Sequence, residues 1–299
     1  MSRQLALHRP AAPFLKWAGG KRGLLAQLEP LLPRALGRYL EPFVGGGALF
    51  FHLHSLGRIT AGAVLNDANR EVMNCYRVVQ DAGLLETLIR LLSEHSRHVG
   101  DKDYYYRLRA LDREPGFASR PPAERAARTI FLNHTCYNGL YRLNRKGQFN
   151  VPYGRWRRPP RIFDEANLRA CHCALQGVEL REEDFAACLD WAQAGDFVYP
   201  DPPYYPLSPT SSFTTYTGTP FTEADQRRLA EVFRELDRRG CLVMLTNSAT
   251  PLVERLFAGF RRSEIAARRA INSRASGRGA IPELAITNYE PPRCRRGQR

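Results

Sequence analysis

Short apolar runs at Val64-Leu65, Val178-Glu179-Leu180, Phe197-Val198-Tyr199, Leu242-Val243-Met244-Leu245 and Leu284-Ala285-Ile286 constrain this chain more than any other feature. Each is too short for a helix. Helical stretches lie between several of them, so the pattern is that of strands in an α/β sheet. One of those helices carries both of its end signals. Thr222 can cap it with Asp225 three residues on, Leu229, Val232, Phe233 and Leu236 form its apolar stripe, and Gly240 stops it just before a strand. From about Val78 to Phe163 the alternation breaks: the sequence becomes helical, then rich in Asn, Gly and Arg. That interruption predicts an inserted domain over 78–163, with residues 1–77 and 164–299 making a discontinuous outer domain. At 299 residues the chain can bury a full core.

Charge concentrates where the alternation breaks. The formal net charge is +14, which favours a polyanionic partner. Between Arg125 and Phe163 there is no Asp or Glu, while nine Arg and Lys are interleaved with Tyr137, Tyr141, Phe149, Tyr153 and Trp156. Basic side chains neutralise phosphates and aromatic planes can wedge or stack on bases, so the segment is a candidate nucleic-acid surface. A solvated basic hairpin is the plainer alternative. Asn144-Arg145-Lys146-Gly147 reads as a tight turn between Tyr141-Arg142-Leu143 and Gln148-Phe149-Asn150-Val151, giving a β-ribbon able to enter a major groove.

The seven cysteines are scattered and odd in number, which points to a reducing cytoplasm. Cys171-His172-Cys173 has the residue types of a metal site, but on a strand Cys-X-Cys alternates faces, and no second pair follows at zinc spacing. No metal is expected, and His95 and His98 read as solvent-facing helix residues. Met1 to Pro13 lacks a signal-peptide apolar core and no run approaches a membrane span, so a soluble protein that is not exported is expected.

Four motifs carry chemistry. Asp201-Pro202-Pro203-Tyr204 follows the run Phe197-Val198-Tyr199. A carboxylate and a proline-stiffened carbonyl at one strand end can both accept hydrogen bonds from one amino group, leaving its lone pair aimed outward, while Tyr204 offers a plane for an extruded base. Asp-Pro-Pro is also ordinary turn chemistry. Glu41-Pro42-Phe43-Val44-Gly45-Gly46-Gly47 follows Arg38-Tyr39-Leu40, and its glycines let a ligand approach the backbone at the end of a first strand. The dinucleotide fingerprint would need glycine where Phe50 stands. Asn66-Asp67 ends the next run, where an acidic residue can grip ribose hydroxyls; the alternative is a packed glycine turn with Asp67 as a helix cap. Trp17-Ala18-Gly19-Gly20-Lys21 lacks the first glycine and the hydroxyl residue of a phosphate loop, which excludes nucleotide triphosphate hydrolysis, but Trp17 and Lys21 suit the closing of a cofactor pocket.

In this order, together with Tyr137-Asn138-Gly139-Leu140-Tyr141-Arg142 and Phe149-Asn150-Val151-Pro152, these motifs resemble DNA adenine-N6 methyltransferases of the Dam type, the D12 class, from about Phe14 to Tyr289. The resemblance implies a Rossmann-like seven-stranded methyltransferase sheet binding S-adenosylmethionine, with an inserted, mainly helical recognition domain that carries a β-hairpin. It places Trp17, Lys21, Phe43, Gly45, Gly47, Asp67, Asp184, Phe185 and Asp201 at cofactor positions, and Asp201, Pro202 and Tyr204 at the catalytic ones. Tyr137, Asn138, Leu140, Arg142, Pro152 and Trp156 fall at positions that contact duplex DNA. Trp156 stands where close relatives carry tyrosine. The loop Ser208 to Tyr216 matches one beside the flipped base, and Arg269, Ile271, Ser273 and Glu283-Leu284 match a late motif. Implied besides are a GATC target or a close variant, a bacterial or phage source acting in the cytoplasm, a cognate restriction endonuclease as a partner the family admits, and no membrane. Cytosine-N4 methylation and a catalytically inactive DNA-binding regulator are the rival readings.

Overall fold

The computed structural model describes residues 9–17, 19–205, 220–268 and 280–292. Its strands are β1 (Tyr39–Glu41), β2 (Ala63–Asn66), β3 (Glu179–Arg181), β4 (Phe197–Val198), β5 (Leu242–Ser248), β6 (Arg261–Arg268) and β7 (Ala280–Thr287). They form one seven-stranded sheet in the order β3-β2-β1-β4-β5-β7-β6. β1 runs parallel to β2 and β4, and β4 parallel to β5; β7 lies antiparallel to both β5 and β6. This mixed α/β sheet is the expected one, and every residue of β1, β2 and β4 is buried, which is why the apolar runs Val64-Leu65 and Phe197-Val198 mark β2 and β4. β1 was marked only by the glycine motif that follows it, and the strand that the sequence does not mark at all is β6. Its start, Arg261-Arg262-Ser263-Glu264-Ile265, buries only Ile265 at the sheet edge, so it carries no apolar run.

The chain divides into two compact units, residues 1–20, 45–58 and 69–182, and residues 21–44, 59–68 and 183–299. These bounds differ from the expected outline, whose edge at Val78 falls inside a helix. In the first unit the helices are α2 (Ala48–Ser55), α3 (Arg70–Gln80), α4 (Ala82–Ser96), α5 (Lys102–Ala110), α6 (Pro122–Thr135) and α7 (Glu165–Leu175). Asn69, not Asp67, caps α3, its Oδ1 accepting from the amides of Glu71 and Val72 at 3.1 and 3.2 Å. Helix α6 is buried almost throughout, including two arginines. Arg128 pairs with Asp112 at 2.8 Å and donates to the Leu108 and Arg109 carbonyls; Arg125 pairs with Glu71. Buried charges of this kind persist only when paired in this way.

Cys171-His172-Cys173 lies on helix α7 rather than on a strand. Cys171 is buried with its thiol donating to the Ala12 carbonyl at 3.2 Å, His172 Nδ1 is 3.0 Å from the Val79 carbonyl, and Cys173 is exposed. Among the described residues no group of three or more His, Cys, Asp or Glu could hold a metal ion, and no helix is long and apolar enough to cross a membrane. His98 is exposed and stacks on Tyr104. His95, expected to face solvent, is instead half-buried against Phe131 with Nδ1 2.6 Å from the Tyr104 hydroxyl, and burial pushes its imidazole down to about 4.

The second unit holds the core that supports the parallel strands, where Leu40, Val64, Val198, Val243 and Ile286 pack with Phe233 and Phe257. Its helices are α1 (Leu25–Leu28), α8 (Cys188–Trp191), α9 (Glu223–Arg238) and α10 (Pro251–Leu256). Helix α9 is the one marked in the sequence: Thr222 and Asp225 form a complete capping box, and Leu229, Val232, Phe233 and Leu236 are buried. Gly240, at φ +78°, turns the chain into β5.

Candidate functional site

Because β1, β2, β4 and β5 run parallel, the residues that leave their carboxyl ends gather along one edge of the sheet, where open α/β sheets bind ligands. In the second unit these are Glu41 at the end of β1 with Pro42 to Val44 after it, Asp67 after β2, Asp201 to Tyr204 after β4, and the end of β5 at Thr246-Asn247-Ser248.

Asp201 is held at one oxygen. Lys21 Nζ lies 2.8 Å from its Oδ1, and the Thr246 hydroxyl donates to the same Oδ1 at 2.7 Å. The Tyr199 hydroxyl sits 3.3 Å from Thr246 Oγ1. Lys21 is only 4% exposed, and its ammonium stands 4.6 Å from the Tyr204 ring centroid, a cation–π distance. Tyr204 donates to Glu283 at 2.7 Å. Burial, with the carboxylates of Asp201 and Glu283, raises the Tyr204 phenol well above its ordinary range, so it stays a neutral ring with a fixed hydroxyl.

The tetrapeptide backbone is clamped as well. The Pro200 carbonyl accepts from the Thr246 amide at 3.2 Å and the Pro203 carbonyl from Gln226 Nε2 at 3.0 Å. Asn247 reaches Gln226 Oε1 at 2.9 Å and accepts from the Tyr205 amide at 3.3 Å, while Ser248 donates to the Tyr205 carbonyl at 2.7 Å. Thr246, Asn247 and Gln226 were not singled out in the sequence. The available signal was a strand whose apolar run ends in Thr-Asn-Ser.

Behind Asp201 lies a second acid. Glu41 is buried and accepts from the Tyr39 hydroxyl at 2.8 Å. Burial raises its carboxyl well above the usual carboxylate range, the Tyr39 bond opposes this, and the charges of Asp201 and Asp67 add to it. Asp67 is itself buried. Asn66 donates to the Pro42 and Glu183 carbonyls at 3.1 and 3.0 Å and accepts from the Glu183 amide at 2.9 Å, joining the ends of β1 and β2 to the segment that carries Asp184 and Phe185. There Phe185 stacks on Phe43 at 5.2 Å, with Phe221 edge-on to Phe43 at 5.9 Å. Asp184 is exposed and paired with Arg228 at 2.8 Å, and the Arg228 guanidinium covers Phe185 at 4.4 Å.

In the first unit, Gly45 and Gly47 have left-handed backbones at φ +45° and +65°. A Cβ on Gly45 would meet the Trp17 indole Nε1 at 2.6 Å, and one on Gly47 would meet the Tyr76 hydroxyl at 2.6 Å. Trp17 also stacks on Tyr141 at 5.4 Å, whose hydroxyl donates to Asn69 at 3.3 Å. The chain then turns back on itself between Leu143 and Phe149, which form an isolated antiparallel bridge, with the Asn144 amide bonded to the Gln148 carbonyl at 2.9 Å. Arg142 is half-buried, and its Nε donates to Asn150 Oδ1 at 2.7 Å. Tyr137 is 47% exposed, and Asn138 is the one non-glycine residue with positive φ, +54°, among the described residues. Leu140 is half-buried, Pro152 exposed, and Trp156 packs edge-on to Tyr153 at 4.8 Å. The segment Ser208 to Tyr216 and Arg269, Ile271 and Ser273 lie outside the described residues.

The model of the D12 class N6 adenine-specific DNA methyltransferase family matches residues 17–271. A type II methyltransferase of Lactococcus lactis subsp. cremoris, M1.LlaDCHI, is 44% identical over 279 residues, which cover 93% of this chain and 95% of that protein. A type II methyltransferase of Methanocaldococcus jannaschii, M.MjaIII, is 43% identical over 292 residues, covering 93% of this chain and 99% of its own length. The DNA adenine methylase of Escherichia coli K12 is 34% identical over 282 residues, covering 93% and 95%.

Proposed function

Because the chain belongs to the D12 class of N6 adenine-specific DNA methyltransferases, we propose that it uses S-adenosylmethionine to methylate a flipped-out adenine in duplex DNA, at GATC or a close variant. The observation that carries this reading is the Asp201 carboxylate, pinned through Oδ1 beside the Tyr204 ring at the carboxyl edge of the sheet. Extruding the adenine costs a few kcal/mol. Tyr204 then receives the base plane against its ring. The Asp201 carboxylate and the Pro202 carbonyl accept the two amino hydrogens, which draws density away from neither ring face and leaves the N6 lone pair directed out of the base plane. The Pro200 and Pro203 carbonyls are each held by a donor from elsewhere in the chain, which fixes the backbone on either side of Pro202. Positioning supplies most of what these side chains contribute.

The residues suit the cofactor. Gly45 and Gly47 give a left-handed turn that brings Trp17 and Tyr76 close against the backbone after β1, Phe43 and Phe185 offer a stacked aromatic wall, and buried Asp67 offers an acceptor for ribose hydroxyls. Trp17, Lys21, Phe43, Gly45, Gly47, Asp67, Asp184, Phe185 and Asp201 are the residues proposed to hold it. When bound, S-adenosylmethionine supplies a positively charged sulfonium methyl, so no metal is required. Asp184 also pairs with Arg228, whose guanidinium covers Phe185, and so helps to fix that ring.

Residues 78–163 are proposed to carry target recognition, with the turn at 144–147 entering the major groove. Arg142 can bond guanine O6 and N7 together, with Leu140, Pro152 and Trp156 at neighbouring base contacts, and Tyr137 and Asn138 beside the extruded base. A cognate restriction endonuclease is a partner consistent with the type II names of the relatives, and a cytoplasmic site of action with a DNA substrate. Expression in a methylation-free host followed by methylation-sensitive sequencing tests the target. Modified adenine in GATC supports it, and modification confined to an unrelated sequence overturns it.

A further inference from the structure

We propose that Thr246 is a positioning residue for the methyl transfer, turning Asp201 so that Oδ2 alone faces the adenine amine; this rests on the reading of Asp201 as the acceptor of that amine. A carboxylate oxygen has two in-plane sites for donors. On Oδ1 both are taken, by Lys21 Nζ at 2.8 Å and the Thr246 hydroxyl at 2.7 Å. The carboxylate plane is thereby fixed, and a substrate amine meets the other oxygen. Thr246 itself has little freedom. It is fully buried on β5, its position is paired with Ala285 of β7, and its amide bonds the Pro200 carbonyl next to Asp201.

The direction of its hydroxyl hydrogen is also set. Thr246 has one hydrogen and gives it to Asp201, so the buried Tyr199 hydroxyl, 3.3 Å away, donates to Thr246. The resulting relay, Tyr199 to Thr246 to Asp201, runs through charge-assisted bonding at its last step, and each bond polarises the next. Lys21 cannot replace it. An ammonium attracts the carboxylate from many angles, whereas a hydroxyl on a paired strand defines one.

The test compares Thr246→Val, Thr246→Ser and Asp201→Ala in the full chain with S-adenosylmethionine and a duplex carrying the target. Thr246→Val should slow single-turnover transfer by about 10- to 100-fold, the loss of one hydrogen bond to a charged group. Binding of the duplex should change by less than about threefold, since Thr246 does not hold it. Thr246→Ser should restore transfer to within about threefold of the wild type, since it returns the hydroxyl. A wild-type rate for the valine variant, or a serine variant as slow as valine, overturns the positioning role. Turnover by Asp201→Ala overturns instead the reading beneath it. Should valine unfold the protein, Tyr199→Phe must still slow transfer by about threefold or more, by weakening the same relay; an unchanged rate overturns it.

Discussion

Replacing Gly45 with alanine tests the glycine turn after β1 and the indole packed on it in one step. The backbone there has φ +45°, a left-handed conformation that costs a residue with a Cβ about 1–2 kcal/mol. The new methyl would lie 2.6, 2.8 and 2.9 Å from Trp17 Nε1, Cε2 and Cδ1, closer than carbon atoms approach, so the indole must move by several tenths of an ångström. That shift disturbs the stack on Tyr141, worth about 0.5–1.5 kcal/mol. Together these give a loss of about 2–3 kcal/mol. Gly57→Ala separates the two contributions: it is also left-handed, at φ +65°, but a Cβ there meets nothing within 4 Å. Urea unfolding should therefore place Gly45→Ala about 1 kcal/mol or more below Gly57→Ala, with the tryptophan fluorescence of the folded protein altered only in the former. Equal stability of the two variants, with unchanged fluorescence, would refute the packing of Trp17 against this turn.

Glu41→Gln should stabilise the protein at pH 8 and leave it unchanged at pH 4. The Glu41 carboxyl is raised by burial, so the stability it lends is full below its unfolded value and is lost as pH rises, while glutamine keeps an acceptor for Tyr39; thermal melts across that range would show a gap that does not widen if this is wrong. His134 has the opposite sign. Burial pushes its imidazole down to about 4, so its contribution is present above pH 6.5 and is lost as pH falls toward 4. His134→Gln should flatten the fall in stability over that window by up to about 3 kcal/mol, measured by urea unfolding at each pH, and an unchanged slope contradicts it. Arg142→Ala should cost about 1–3 kcal/mol of discrimination at one base pair in competition between matched and mismatched duplexes, whereas a uniform loss over all sequences would assign Arg142 to phosphate.

The strands of the parallel half of the sheet were legible because burial on both faces writes itself as short apolar runs, as at Val64-Leu65 and Phe197-Val198-Tyr199. Helix α9 was legible because its cap, stripe and stop are all local. Edge strand β6 was not, since an edge is polar by design and its pairing with β7 is a tertiary fact. The candidate site divides in the same way. Asp201, Pro202 and Tyr204 form one contiguous motif, and Lys21 stands out beside its glycines. Thr246, Gln226 and Glu283 reach the tetrapeptide from strands and a helix far along the chain; Glu283 was marked only by its motif and Thr246 only by the polar end of an apolar run, and neither signal says what the side chain touches. The Cys-His-Cys triplet was misplaced: a strand's period of two would put Cys171 and Cys173 on one face with His172 opposite, whereas on α7 Cys171 packs inward and Cys173 faces out.

The most direct test of the account is nucleoside analysis of duplex DNA treated with the protein and methyl-labelled S-adenosylmethionine. The wild type should place the label on N6 of deoxyadenosine, and Asp201→Ala should transfer none while still binding the duplex. Label on cytosine, or undiminished transfer by Asp201→Ala, would contradict it.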